Sequence, residues 1–169
     1  SASDKWILSE LDKLVKECKK GYEEYNFFIP AIAIREFTWN VFAAHYIEMV
    51  KARAYGIDFS DEERDGAIFT LHKTLSTILK LLAPITPFIT EHLWKELYSK
   101  DSIHKEKHVE PENIEDQSNV TKEISEFNSK VWNEKKSQNL SLKDSIKIEI
   151  PESLQSFKKD LKSMHNLLD

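Results

Sequence analysis

The chain has 169 residues, of which 40% are hydrophobic, with three glycines and a single cysteine. That composition supports one sizeable core and excludes both a disordered chain and a disulfide-stapled one. A formal net charge of −5, with thirteen acidic against seven basic residues over 58–118, excludes a protein that holds nucleic acid by bulk charge alone. Cys18 falls in an apolar helical pattern and reads as a buried thiol in a reducing compartment. No signal peptide or long apolar run is present, so a soluble, cytoplasmic protein without a membrane partner is expected.

Ser3 or Asp4 can cap a first helix whose apolar face carries Trp6, Ile7, Leu11, Leu14, Val15, Cys18 and Tyr22. Gly21 lies near its end. After a short approach over residues 25–29, a second helix runs from about Pro30 to Ala54. Ile32, Ile34, Phe37, Val41, Phe42, Tyr46, Ile47 and Val50 make it apolar nearly all round, which predicts the most covered helix of a bundle. Gly56 ends it, and Ser60 with Glu63 forms a capping box for a third helix.

The third helix places Ile68, Leu71, Leu75, Ile78, Leu79 and Leu82 at spacings of three and four. Ala83 and Pro84 close it, because a proline cannot continue the ladder. A fourth helix starts at once, with Thr86 as N-cap, Pro87 at the first helical position and Phe88, Ile89, Leu93, Trp94, Leu97 and Tyr98 as its apolar face. Residues 101–118 are polar, acidic and aperiodic, a crossing or linker. The tail reads as a helix from about 120 to 136, a strand over 145–150 bounded by Pro151, and a last helix from Leu154 to about His165.

The fold class implied is mainly all-α: an antiparallel, up-and-down four-helix bundle over 1–100, the crossing over 101–118, and a small helix–strand–helix α/β appendage over 119–169. Phe37, Val41, Leu75, Leu79, Phe88 and Trp94 are its expected core. One strand cannot satisfy its own edges, so the appendage is expected to be incomplete.

Catalytic signatures are absent: there is no Gly-rich phosphate loop, HExxH, CxxC or G-x-S-x-G. His104 and His108 lack a third ligand, and Glu91 is placed to complement a helix dipole. No cofactor or metal is expected, and no catalysis by this chain alone. The polar residues of the bundle, Asp4, Lys5, Arg35, Asn40, His45, Lys51 and Arg53, admit two readings. They are a solvated face, or, with Phe27, Phe28 and Trp39, they supply cations, rings and an amide for a single-stranded RNA loop. On the second reading the RNA-binding set is Lys5, Phe27, Phe28, Arg35, Asn40, Lys51 and Arg53.

The blocks DKWILSEL, YNFFIPAIAIREFTWNVFAAHYIEMVKAR and LLAPITPFITEHLW, over residues 4–98, resemble the anticodon-binding helical domain of class I aminoacyl-tRNA synthetases for valine, isoleucine, leucine and methionine. SIHKEKHVEP resembles the crossing that follows it, with Val109, Glu110 and Pro111 where a Trp-Pro pair is usual. The tail stretches EFNSKVWNEKKSQNLSLKDSIKIEIP and FKKDLKSMHNL resemble the continuation in archaeal-type valine enzymes. The resemblance implies anticodon recognition in a valine-tRNA ligase, with a tRNA carrying a valine anticodon as partner. It implies that Lys5, where the family more often has arginine, neutralises phosphate, and that Phe27 stacks on a base. HIGH- and KMSKS-like signatures are absent, so the chain is expected to be a C-terminal fragment whose parent supplies catalytic and editing domains and uses ATP and magnesium. The alternatives are the same domain from an isoleucine or leucine enzyme, or a helical protein-interaction module without RNA function.

Overall fold

Helix starts and stops follow local chemistry in this computed structural model, which describes residues 1–117 and 119–168. Ser118 and Asp169, the last residues of the expected crossing and appendage, lie outside the described residues. Helix α1 (Ala2–Glu23) is capped by Ser1, whose hydroxyl accepts from the Asp4 amide at 3.3 Å. The expected caps lie inside its first turn, and Ser3 donates instead to Asp160, 2.6 Å away. Helix α2 (Phe28–Glu36) runs without a break through a π-helical segment, Phe37–Ile47, into α3 (Glu48–Ala54). Gly56, at φ 71°, takes the left-handed conformation beyond its end. The Ser60–Glu63 capping box opens α4 (Asp61–Leu82), and Pro87 opens α5 (Pro87–Leu97). The tail holds α6 (Asn119–Ser137) and α7 (Lys158–His165).

The π segment answers a problem of phase. Phe37 and Phe42, five residues apart, would stand about 140° apart around an α-helix. Bonding five residues back widens the turn and brings both to the buried side, where their rings stack at 6.3 Å and 6°. Tyr46 continues the stack at 6.0 Å from Phe42. The opposite side of this long helix is open, with Ile32 and Trp39 exposed, so its nearly all-round apolar pattern is not buried on every side.

Helix α4 also buries a different stripe from the one expected. Ala67, Thr70, Thr74, Thr77, Ile78 and Leu81 face inward, whereas Ile68 is exposed and Leu71 and Leu75 are partly buried. Small side chains suit a helix that touches α1, α2, α3 and α5 at once, and Thr70 satisfies its buried hydroxyl on the Gly66 carbonyl at 2.9 Å. Of the six expected core residues, Phe37, Leu79 and Trp94 are buried and Val41 and Leu75 half-buried. Phe88 is 90% exposed, a correction: α5 packs on α4 and on the Ile103–Lys105 turn through Thr90 and Trp94, which leaves its far side uncovered.

The expected strand is not formed. Ile146 and Ile150 are buried and Lys147 and Glu149 exposed, so the alternation is obeyed. Yet Ile146 makes a single parallel bridge with Leu167, and the described residues contain no strand. Ile124, Phe127, Leu154 and Leu161 from the tail share one core with Trp6 and Ile7, and Trp6 donates to Thr121 at 2.8 Å.

Gly21 marks a close approach between the end of α1 and the start of α2. A Cβ there would stand 2.6 Å from Pro30 Cδ. Gly21→Ala is therefore expected to cost about 1–3 kcal/mol by overpacking, read from urea unfolding; an unchanged midpoint would show that the ring yields freely.

Candidate nucleic-acid interface

Chain ends of four helices meet at one end of the bundle. Tyr22, near the end of α1, donates to the carbonyl of Leu81, near the end of α4, at 2.5 Å. The tight turns leaving those helices begin α2 and α5 at the same end. Large rings are left in solvent here: Tyr25 is 85% exposed, Phe28 73% and Phe88 90%. Phe27 is half-exposed and meets Tyr22 edge-on at 5.6 Å. Tyr25 sits at φ 56°, a left-handed conformation uncommon outside glycine, and projects from the turn.

From this end a stripe runs down α2 into the π segment. Phe28, Ile32, Arg35 and Trp39, at spacings of four, three and four, are all exposed. Arg35 Nη2 lies 2.6 Å from Glu36 Oε1, and Asn40 donates to Glu36 Oε2 at 2.5 Å. Arg35 foremost holds the Glu36 carboxyl below its ordinary range. One carboxylate thus holds both a planar guanidinium and an amide.

Not every expected contact joins this face. Lys5 is exposed but lies near the start of α1, and eighteen residues of helix separate it from Glu23 by about 27 Å. Lys51 is exposed on α3, beyond the π segment, and pairs with Glu48 at 2.7 Å. Arg53 is a correction: its side chain is 1% exposed, so it offers nothing to RNA. Its fork holds both Asp4 oxygens at 2.7 Å, and its Nε lies 3.2 Å from Asp160, out of line for a hydrogen bond. Tyr46 donates to the same Asp4 at 2.7 Å. Asp4 and His45, read as solvated polar residues, are buried as well.

The crossing is tied to α1 by contacts that sequence reasoning missed. The amides of Glu112, Asn113 and Ile114 donate to the Asp12 carboxylate, and that of Gln117 to Ser9. Glu91, expected to serve the helix dipole, accepts from Ser102 and from the Ile103 amide, each at 2.9 Å. Nothing local announces these bonds, since each partner is a common polar residue far away in sequence. Between the crossing and the ends of α1 and α4 lies an open cavity of about 270 Å³ lined by Lys19, Tyr22, Glu23, Leu81, His108, Val109 and Glu110.

The helical bundle thus presents rings, a guanidinium and an amide on one open face. No group of three or more His, Cys, Asp or Glu among the described residues is placed to hold a metal ion. No helix among them is long and apolar enough to cross a membrane. Residues 4–150 match the family described as the anticodon-binding domain of tRNA ligase. Valine-tRNA ligase of Pyrobaculum aerophilum is 38% identical over 178 residues, which covers 98% of this chain and 21% of that protein. The Nanoarchaeum equitans valine-tRNA ligase is 37% identical over 98% of the chain and 21% of its own length. That of Archaeoglobus fulgidus is 38% identical over 86% of the chain. The chain belongs to the anticodon-binding domain family of class I tRNA ligases in the valine, isoleucine, leucine and methionine group. It spans about a fifth of the length of these curated relatives.

Proposed function

We propose that this domain recognises the anticodon loop of a valine tRNA as part of a valine-tRNA ligase, the enzyme that attaches valine to its tRNA with ATP. The observation that carries the reading is the exposed face of Phe28, Arg35, Trp39 and Asn40, continuous with Phe27 at the bundle end. Unstacked loop bases need flat rings, and base edges and phosphates need a planar cation and an amide. Held on one helix, these groups lose little freedom on binding. Lys5 and Lys51, away from the face, serve phosphates further along the stem. Residues 1–100 act as the reading unit, with 101–118 and 119–169 bracing it.

The archaeal valine enzymes among the relatives favour valine over isoleucine or leucine. The uncovered side of α5, with Phe88, Ile89 and Leu97, suits contact with the catalytic or editing portion of the same ligase. ATP and magnesium act in that catalytic portion.

The test compares a valine anticodon stem-loop with one whose middle and third anticodon bases are changed, at one low salt concentration. The valine loop should bind more tightly, and raising salt should weaken both. Phe27→Leu should cost about 1–3 kcal/mol of affinity with folding unchanged. Equal affinity for the two loops rules out base reading by this domain, and an equal loss of folding stability in Phe27→Leu assigns that ring to the core.

A further inference from the structure

The stretch SIKIEI has the alternation of a strand, yet among the described residues only Ile146 finds a ladder partner. Its amide donates to the Asn166 carbonyl at 3.3 Å and its carbonyl accepts from the Leu168 amide at 3.0 Å, on either side of Leu167. In an extended chain the backbone polar groups of successive residues point to opposite edges. Those of Lys147 and Glu149 therefore point away from Leu167, and among the described residues they bond to no other group. Both side chains are exposed and form no ion pair among those residues. Ile146 and Ile150, buried in the common core, hold the segment down in its extended form. Open donors and acceptors along a fixed extended edge are a template for another strand.

Charge selects that strand. An edge lysine by itself repels a second copy of its own chain, but Glu149 follows two positions later on the same face. Antiparallel pairing of two copies centred on Ile148 sets each Lys147 across from the other copy's Glu149. These are then the residues that exchange both backbone bonds, with their Cα atoms about 5.5 Å apart. Centring the pair on Lys147 or on Glu149 sets like charges face to face, and in-register parallel pairing sets lysine beside lysine. Pro151, without an amide hydrogen, ends the ladder. We propose that two copies of this chain associate about a two-fold axis through antiparallel pairing of residues 147–149, which completes between molecules the strand that the sequence pattern announces. So short a ladder buries far less than the roughly 1,200 Å² of a stable interface. The dimer is therefore weak and forms at high protein concentration.

Sedimentation equilibrium of the 169-residue chain at rising concentration and low salt tests this. The average mass should climb from that of a monomer toward that of a dimer. Lys147→Glu and Glu149→Lys, at exposed positions, should each weaken self-association by about fivefold or more, because each sets like charges across the axis at both pairs. Mixing these two variants should restore association as a heterodimer, one copy supplying both acids and the other both lysines. The double variant Lys147→Glu/Glu149→Lys should associate as the unaltered chain does. A chain that stays monomeric up to about 1 mM overturns the proposal. So does a dimer that neither charge reversal weakens, and so does a mixture of the two single variants that associates no better than either alone.

Discussion

Arg53→Ala is expected to lower the free energy of unfolding by about 3–5 kcal/mol, the cost of removing one partner from a buried ionic cluster. The substitution strands two carboxylates that the fold keeps from water, Asp4 at 7% and Asp160 at 5% exposure. They are unequal partners. Burial pushes Asp4 up, but hydrogen bonds from Arg53 and Tyr46 outweigh it and hold that carboxyl far below its ordinary range. Burial also raises Asp160, and there the Ser3 hydroxyl and the off-line Arg53 Nε offset it only in part. Arg53→Lys keeps the charge without the fork and should fall between wild type and alanine. Asp160→Asn should cost less than Asp4→Asn, since the guanidinium commits its two strongest bonds to Asp4. Urea unfolding followed by far-UV circular dichroism reads all four variants. If Arg53→Ala weakens RNA binding while the unfolding midpoint stays put, the cluster is not what holds α1, α3 and α7 together.

The contrast between Arg53 and Arg35 shows where sequence reading succeeds and fails. Both lie on one long helix among apolar residues, and the same logic offers both to RNA. Arg35 is exposed because its side of α2 has no neighbour, and Arg53 is buried because Asp4 and Asp160 converge on it from remote parts of the chain. Local chemistry was legible: the Ser60–Glu63 box, Gly56, Pro84 and Pro87 mark helix ends where they were expected. The LLAPITPFITEHLW block carried the family. Which side of each helix meets a neighbour was not legible. Phe88 and Trp94 share one apolar pattern, yet α4 covers Trp94 and leaves Phe88 open. The π segment was hidden for a related reason, since FTWNVFAAHYI is apolar on too many sides for its period to be read. In the candidate site, rings and cations were legible as residue types. The cavity was not, because its walls come from α1, α4 and a crossing without periodicity.

Acid will loosen this protein through a buried amide between two histidines. Asn128 donates to Nδ1 of His45 on the π segment at 3.0 Å, which needs that ring neutral, and accepts from Nε2 of His165 on α7 at 2.7 Å, which either protonation state of His165 can supply. Lys135 closes the group by donating to the carbonyls of His165 and Leu142, each at 2.7 Å. Burial lowers His45, and burial, with Lys135 and His45 nearby, lowers His165 from 6.5 to about 4. The unfolded chain therefore binds more protons between these values, so stability is full above pH 6.5 and falls as pH drops toward 4. The His165 shift alone corresponds to about 3 kcal/mol, and His45 adds loss of the same sign. Asp160, raised in the fold, runs the other way in acid and offsets part of the loss. Unfolding free energies measured from pH 7.5 to 4 should show this decline, and His165→Gln, which keeps a donor for Asn128 without a titrating ring, should flatten most of it at some cost at neutral pH. An equally steep decline in His165→Gln would assign the acid sensitivity to other groups and leave the His45–Asn128–His165 bridge a purely neutral clasp between the tail and the helix that carries the candidate RNA face.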